Sequence, residues 1–93
     1  MTMKQLVLIK SESCGACKMI EPDAAKKARK YGIGFKTVDG DNMPAEHRPK
    51  YYPYFYLLDV SDKPNQIIEE WGGGDVGKLA SVLNRNLKPK TES

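Results

Sequence analysis

The fold of this 93-residue chain is decided by the stretch Leu6-Val7-Leu8-Ile9-Lys10-Ser11-Glu12-Ser13-Cys14-Gly15-Ala16-Cys17. The stretch opens with a short apolar run, continues through a polar turn and ends in the only two cysteines of the chain. A lysine- and alanine-rich segment with helical spacing follows it. A Cys-x-x-Cys pair at the start of a helix, inside a strand–helix–strand pattern, is typical of a dithiol redox site. The stretch therefore predicts a redox protein.

Composition is ordinary for a globular protein, with 40% hydrophobic and 29% charged residues and a net charge of +3. We expect one domain, residues 1–93, with a frayed tail at 88–93. The positive charge concentrates in one helical segment, at residues 18 and 26–30, without a recognised nucleic-acid motif. We interpret that segment as a solvated helix face and expect no nucleic-acid partner.

Apolar runs in this chain are short. The longest has about four residues, whereas a membrane-spanning helix needs roughly 20. The first five residues contain no apolar signal core. We therefore expect no membrane association and a cytoplasmic protein, in which a disulfide is more often transient and catalytic than structural.

The order of predicted elements is βαβαββα, an α/β fold in which a four-stranded mixed sheet carries helices on both faces. A helix is predicted over 15–31 because Ile20, Ala24, Ala28 and Tyr31 form one apolar stripe. The link at 59–64 is too short for a parallel crossover, so the last two strands form an antiparallel hairpin. The strands are predicted at 4–9, 35–39, 53–58 and 65–71, a short helix at 43–50, and a last helix after the capping residue Asp75. Ser13 is a candidate N-cap of the first helix.

Three landmarks resemble the thioredoxin superfamily. Residues 14–22, C-G-A-C-K-M-I-E-P, are similar to its active-site segment C-G-P-C-K-M-I-x-P. Residues 52–55, Tyr-Pro-Tyr-Phe, stand where that family has a cis-proline, and residues 71–74, Trp-Gly-Gly-Gly, where it has a glycine beside the peptide groove. The resemblance covers residues 4–87 and implies a thioredoxin fold with a cis Tyr52–Pro53 bond. The candidate substrate-binding residues are Gly15, Ala16, Tyr52, Pro53, Tyr54, Gly72, Gly73 and Asp75.

The two cysteines have different predicted roles. Cys14 lies at the helix N-terminus, where unsatisfied N–H groups and the helix dipole stabilise a thiolate and lower the pKa of the thiol. Cys17 lies one turn further in, on the same helix face. We expect Cys14 to attack a substrate disulfide and Cys17 to resolve the mixed disulfide. The only cofactor implied is the redox-active Cys14–Cys17 disulfide; a zinc site would require four ligands.

The chain departs from the thioredoxin pattern at four positions. The family's buried aspartate in the first strand is Leu8, and Phe35 lies near the place of the lysine that pairs with it. The tryptophan before the first cysteine is Ser13, and the proline inside the motif is Ala16. Proton transfer is therefore expected to depend on water or on another group.

The predicted function is reduction of protein disulfides, by a monomer that a thioredoxin reductase recharges. The alternative is a glutaredoxin that glutathione recharges. The short chain, the missing aspartate and the triplet Gly73-Gly74-Asp75 favour this alternative, although Lys10 lies one position from the usual place of the glutathione-binding lysine. A binding subunit of a larger enzyme is a further alternative. Trp71 is either a packing residue or part of the groove wall, and His47 is expected at the surface.

Overall fold

The computed structural model of the protein describes residues 3–61 and 65–87. The predicted frayed tail at 88–93 and part of the predicted turn at 59–64 lie outside the described residues. The elements are β1 (Lys4–Lys10), α1 (Gly15–Tyr31), β2 (Gly34–Asp39), two 3-10 turns (Gly40–Asn42 and Ala45–His47), β3 (Tyr54–Asp59), β4 (Gln66–Gly72) and α2 (Val76–Asn86). The predicted strands and the two α-helices are thus confirmed, with ends that shift by one residue or not at all.

The four strands form one mixed sheet in the order β2-β1-β3-β4. β1 pairs parallel with β2 and antiparallel with β3, and β3 pairs antiparallel with β4. Residues 6–9 of β1 are all buried, because this strand has a neighbour on each side and is covered on both faces. The predicted mixed sheet and terminal hairpin are therefore confirmed.

Both α-helices contribute to a single buried cluster with one face of the sheet. Leu6 and Leu8 of β1 alternate with Val7 and Ile9, as strand geometry requires, and only the first two belong to this cluster. The other members are Ile20, Ala24, Ala28, Phe55, Leu57, Trp71, Leu79, Val82 and Leu83. The two α-helices therefore cover the same face, and the prediction of α-helices on both faces is corrected.

The predicted helix at 43–50 is wrong, and two prolines explain the difference. Met43 precedes Pro44 and Arg48 precedes Pro49, and a residue before proline is sterically driven out of the helical region. Both are extended, with ψ of 147° and 132°. Only Ala45–His47 remains for a turn, and it forms a single 3-10 turn in which His47 is exposed, as predicted.

The ends of the helices are fixed by specific groups. α1 ends at Gly32, whose φ of 70° places it in the left-handed region that glycine adopts without strain. Asp75 caps α2 as predicted, because its carboxylate accepts hydrogen bonds from the N–H groups of Gly77 and Lys78. In the described part of the chain, neither α-helix has the length and apolar character needed to cross a bilayer.

Candidate active site

Cys14 and Cys17 form a disulfide bond at the start of α1. Their Cα atoms lie 5.3 Å apart, within the range that a disulfide spans. This spacing is available because residues three apart on a helix are neighbours on its surface. The predicted redox-active disulfide is therefore present. Within residues 3–61 and 65–87, no group of three or more His, Cys, Asp or Glu side chains is placed to hold a metal ion.

The N-cap of α1 is Cys14, not the predicted Ser13. Cys14 has extended backbone angles, and its Sγ accepts a hydrogen bond from the N–H of Cys17 at 3.2 Å. The Ser13 hydroxyl instead lies 3.3 Å from the Ser11 hydroxyl. The first turn of α1 contains no acidic residue. A negative charge on the Cys14 sulfur is therefore stabilised by a backbone donor and the helix dipole, without an opposing carboxylate in that turn.

The two sulfurs differ in their access to solvent. Cys14 is partly exposed and lies beside the exposed Gly15 and Ala16, whereas the Cys17 side chain is 0% exposed. A protein disulfide can therefore approach Cys14 but not Cys17. This difference in exposure supports the predicted roles of attacking and resolving cysteine.

Three loops meet beside the disulfide. The Tyr52–Pro53 bond is cis, as predicted, and Pro53 is buried. The Gly73 N–H donates to the carbonyl of Pro53 at 2.8 Å, which joins the loop before β3 to the loop after β4. A Cβ atom built on Gly74 would lie 3.4 Å from the Ala16 Cβ and 4.0 Å from the Pro53 Cγ. The structure thus brings together the cysteine motif, the cis-proline and the glycine loop.

Two tyrosines hold the proline loop in place. The ring of Tyr52 lies against Gly40, and the ring of Tyr51 lies against Gly72, in each case so closely that a Cβ on the glycine would clash with it. Tyr52 therefore borders the site through its backbone while its side chain packs under the 3-10 turn. Tyr51, which is exposed, was missed by the sequence analysis. The only sequence feature that indicated a role for Tyr51 was its position directly before the predicted cis-proline loop.

Tyr54 and Asp75 have structural partners in addition to their predicted binding roles. The hydroxyl of Tyr54 donates to Glu70 Oε1 at 2.7 Å. This hydrogen bond, with a smaller effect of burial, raises the pKa of Tyr54 to about 12. The Asp75 carboxylate accepts from the N–H of Gly77 at 2.8 Å and of Lys78 at 3.4 Å. Both side chains are therefore engaged before any substrate binds.

Leu8 occupies the place of the family's aspartate and is 0% exposed. A charged pair on this side of the sheet is Lys10 with Glu21, whose Nζ and Oε1 atoms lie 2.8 Å apart. This half-exposed pair ties the end of β1 to α1, one helical turn beyond Cys17. This pair was not predicted from the sequence. The four-residue spacing of Glu21 from Cys17 places both on one side of α1 but does not indicate Lys10 as the partner.

Trp71 is a packing residue. Its side chain is 6% exposed and stacks on Phe55, with the ring centroids 5.2 Å apart and the planes 14° from parallel. Phe55 lies directly opposite Trp71 in the β3–β4 register. Of the two interpretations left open by the sequence, the structure therefore favours packing under the sheet end.

A Cys-x-x-Cys disulfide at a helix N-terminus, with one sulfur partly exposed and the other buried, is the arrangement of a thiol–disulfide oxidoreductase. A sequence model of the Thioredoxin family matches residues 2–85, and the chain therefore belongs to the thioredoxin family.

Solved structures show the same fold. Thioredoxin f2 of Chlamydomonas reinhardtii has a TM-score of 0.79 at 22% identity, over 96% of this chain and 83% of that one. The oxidized mitochondrial thioredoxin 3 of Saccharomyces cerevisiae has a TM-score of 0.72 at 26% identity, over 88% and 77%. Thioredoxin f2 in a complex with ferredoxin:thioredoxin reductase has a TM-score of 0.76 at 19% identity, over 90% and 77%. No curated protein is significantly similar in sequence. The predicted thioredoxin fold is confirmed.

Proposed function

We propose that this protein reduces disulfide bonds of other proteins by the thioredoxin reaction, with Cys14 as the attacking residue. The observation that carries the proposal is the difference in exposure of the two sulfurs, at a point where the cis-proline and glycine loops also meet. Gly15, Ala16 and Gly74 are exposed here, so a polypeptide substrate can reach the sulfur of Cys14.

The reaction begins from the reduced pair. The Cys14 thiolate attacks one sulfur of the substrate disulfide, the substrate S–S bond breaks, and the released substrate sulfur takes up a proton. Cys17 then loses its proton and attacks the Cys14 sulfur, so that the second substrate sulfur leaves and is protonated. The substrate gains two electrons and two protons, and the Cys14–Cys17 disulfide forms. The hydrogen bond from the Cys17 N–H stabilises Cys14 as the attacking thiolate.

Substrate binding is proposed to use the backbone beside Pro53. An extended peptide that passes the sulfurs can pair with this backbone as an added strand. The Gly73–Pro53 hydrogen bond fixes the distance between the two walls of the surface. Gly74 leaves space next to Ala16, since a larger residue there would lie against the motif itself.

A protein reductase is the proposed source of electrons. Glutathione carries two carboxylates and an amine, so a site specific for it needs fixed charges. Asp75, which favoured glutathione in the sequence, caps α2, and Lys10, which lies one position from the usual place of the glutathione-binding lysine, is paired with Glu21. One structure with the same fold is a thioredoxin bound to its reductase, a precedent for a protein reductant.

Two coupled assays on one sample test this function. The first follows insulin reduction with NADPH and a thioredoxin reductase, and the second uses NADPH, glutathione and glutathione reductase. We expect turnover in the first assay. Turnover only in the second would make the protein a glutaredoxin, and failure of insulin reduction even with dithiothreitol would contradict the oxidoreductase proposal.

The proposal includes a monomer that acts in the cytoplasm. Light scattering at micromolar concentration tests the oligomeric state, and a mass near twice that of one chain would contradict it. Cell fractionation with compartment markers tests the location. A thioredoxin-type reductant requires a reducing compartment, because an oxidising one would hold the pair as a disulfide.

A further inference from the structure

An open cavity of about 440 Å³ lies between α1 and the first residue of α2. We call this cavity the basic groove. It is lined by Asp23, Lys26, Lys27, Lys30 and Val76. The four residues from α1 are spaced three or four apart, so they share one side of the helix. The sequence alone suggested a solvated helix face. In the structure, Val76 of α2 lies opposite that face, which therefore forms one wall of a groove.

The groove has an excess of positive charge. Three lysines face one carboxylate, and none of the three takes part in an ion pair within the described ranges 3–61 and 65–87. Even Asp23, on the same helix, is not within ion-pair distance of them. A ligand that carries several negative charges would therefore gain attraction without breaking an existing pair.

The groove lies further along the helix that begins at the active site. Val76 follows Gly74 by two residues, and a Cβ atom built on Gly74 would lie 3.4 Å from the Ala16 Cβ of the cysteine motif. Met19 lies one helical turn before Asp23 and is 79% exposed, while Val76 is 38% exposed. Along α1, the exposed Met19 therefore lies between the sulfurs and the lysines of the groove.

We propose that the basic groove binds an acidic segment of the protein whose disulfide Cys14 attacks; this inference rests on the proposed function. The rise of an α-helix places Lys26 and Lys30 about 15 and 21 Å from Ala16 along α1. An extended chain covers that distance in about four to six residues. The segment therefore carries Asp or Glu about four to six residues from the reactive cysteine.

A nucleic acid fits the groove less well than an acidic polypeptide. Binding of a single strand normally combines basic side chains with aromatic rings on which bases stack. The lining of the groove contains no aromatic residue. The exposed Met19 and Val76 instead suit the apolar side chains of a peptide next to its cysteine.

Two disulfide-bonded peptides test the inference, identical except for three Glu or three Gln at positions four to six from the cysteine. Pre-reduced protein is mixed with each peptide in stoichiometric amounts, and product is measured after an acid quench. We expect the Glu peptide to be reduced about five- to tenfold faster at low salt. The preference should disappear at about 0.5 M salt, because screening weakens exposed charge pairs.

A matched pair of variants separates the groove from general charge. Lys26→Gln with Lys30→Gln should bring the rate ratio of the two peptides close to one. Arg29→Gln with Lys36→Gln removes the same charge from exposed sites outside the groove and should keep the ratio. Arg29 is next to Lys30 but about 100° away around α1, and Lys36 is opposite Val7, on the sheet face without α-helices.

A binding measurement that involves no thiol–disulfide exchange separates the groove proposal from the proposed reductase function. Labelled Glu and Gln peptides with Ser in place of Cys are each titrated with oxidised protein, and anisotropy reports binding. If the reduced protein reduces neither peptide but this binding requires Lys26 and Lys30, the proposed function fails and the groove stands. Equal rates and equal binding for both peptides would overturn the groove. The groove proposal would also be overturned if a single-stranded oligonucleotide of equal charge bound more tightly than the Glu peptide and if that binding required Lys26 and Lys30.

Discussion

Replacement of Asp75 tests what the charged residue of the glycine loop does. Its carboxylate accepts two backbone hydrogen bonds at the start of α2, one of 2.8 Å and one of 3.4 Å. Removal of an N-cap side chain of this kind costs about 1 kcal/mol. α2 cannot fray without exposing Leu79, Val82 and Leu83, each 0% exposed, so the loss lowers the stability of the whole fold. For a domain of this size it lowers Tm by about 4–8 °C.

Two substitutions separate the cap from the charge. Asp75→Ala removes both, whereas Asp75→Asn keeps a good N-cap and removes only the charge. In thermal unfolding followed by circular dichroism, we expect the Ala variant to lose about 4–8 °C and the Asn variant to stay within about 2 °C. An Asn variant as unstable as the Ala variant would refute the cap. Glutathione-dependent turnover that Asn abolishes at unchanged Tm would show that the charge recognises glutathione, and would contradict the proposed reductant.

Three further predictions concern the sulfurs, the core and the outer face. Cys14→Ser should abolish reduction of insulin, whereas Cys17→Ser should trap substrates as mixed disulfides visible by mass spectrometry; faster alkylation of Cys17 than of Cys14 at neutral pH would reverse the roles. Leu8→Asp should cost about 4 kcal/mol in denaturant unfolding, because it buries a carboxylate, yet speed the resolving step; a folded variant with no rate gain would mean that another group already accepts the proton. The pKa of Tyr54, raised to about 12 from 10.0, means that the bond to Glu70 stabilises the fold fully below pH 10 and is lost as pH rises through 12. Absorbance at 295 nm should show that Tyr54→Phe removes a phenol that ionises at about pH 12, and an unchanged titration would contradict this.

Much of the fold was predictable because its signals are local. Residues 6–9 form an apolar run that requires cover on both sides, and this requirement placed β1 inside the sheet. The 3.6-residue stripe from Ile20 to Tyr31 gave α1 its correct bounds. The cis Tyr52–Pro53 bond followed from the family resemblance, not from periodicity.

The errors arose where two local signals compete. Pro44 suits the first turn of a helix, but Pro49 keeps Arg48 extended, and a helix of only eight predicted residues cannot absorb that break. At the start of α1, Ser13 is the better cap by residue type. The chain places Cys14 there instead, because the turn closed by the Cys14 N–H and the Ser11 carbonyl ends one residue later.

The charged contacts of the site could not be predicted, because they join residues distant in sequence. Lys10 and Glu21 are eleven positions apart and meet only when β1 and α1 pack together. Val76 reaches the lysines of α1 across more than 40 residues. Sequence periodicity gives the side of a helix on which a residue lies, but not the element that will lie opposite it.

Because Cys14 is the N-cap of α1, its Sγ atom has both a structural and a chemical role. The sulfur that we propose attacks the substrate is also the acceptor that holds the first turn of α1. A thiolate accepts this bond more strongly than a neutral disulfide sulfur does, so the helix start is tightest when the protein is ready to react. Each turnover then loosens that turn as the charge leaves Cys14 for the new S–S bond, and recharging tightens it again. Serine, a good cap without a thiol, is for the same reason the inactive substitute that preserves the helix, whereas alanine removes catalyst and cap together.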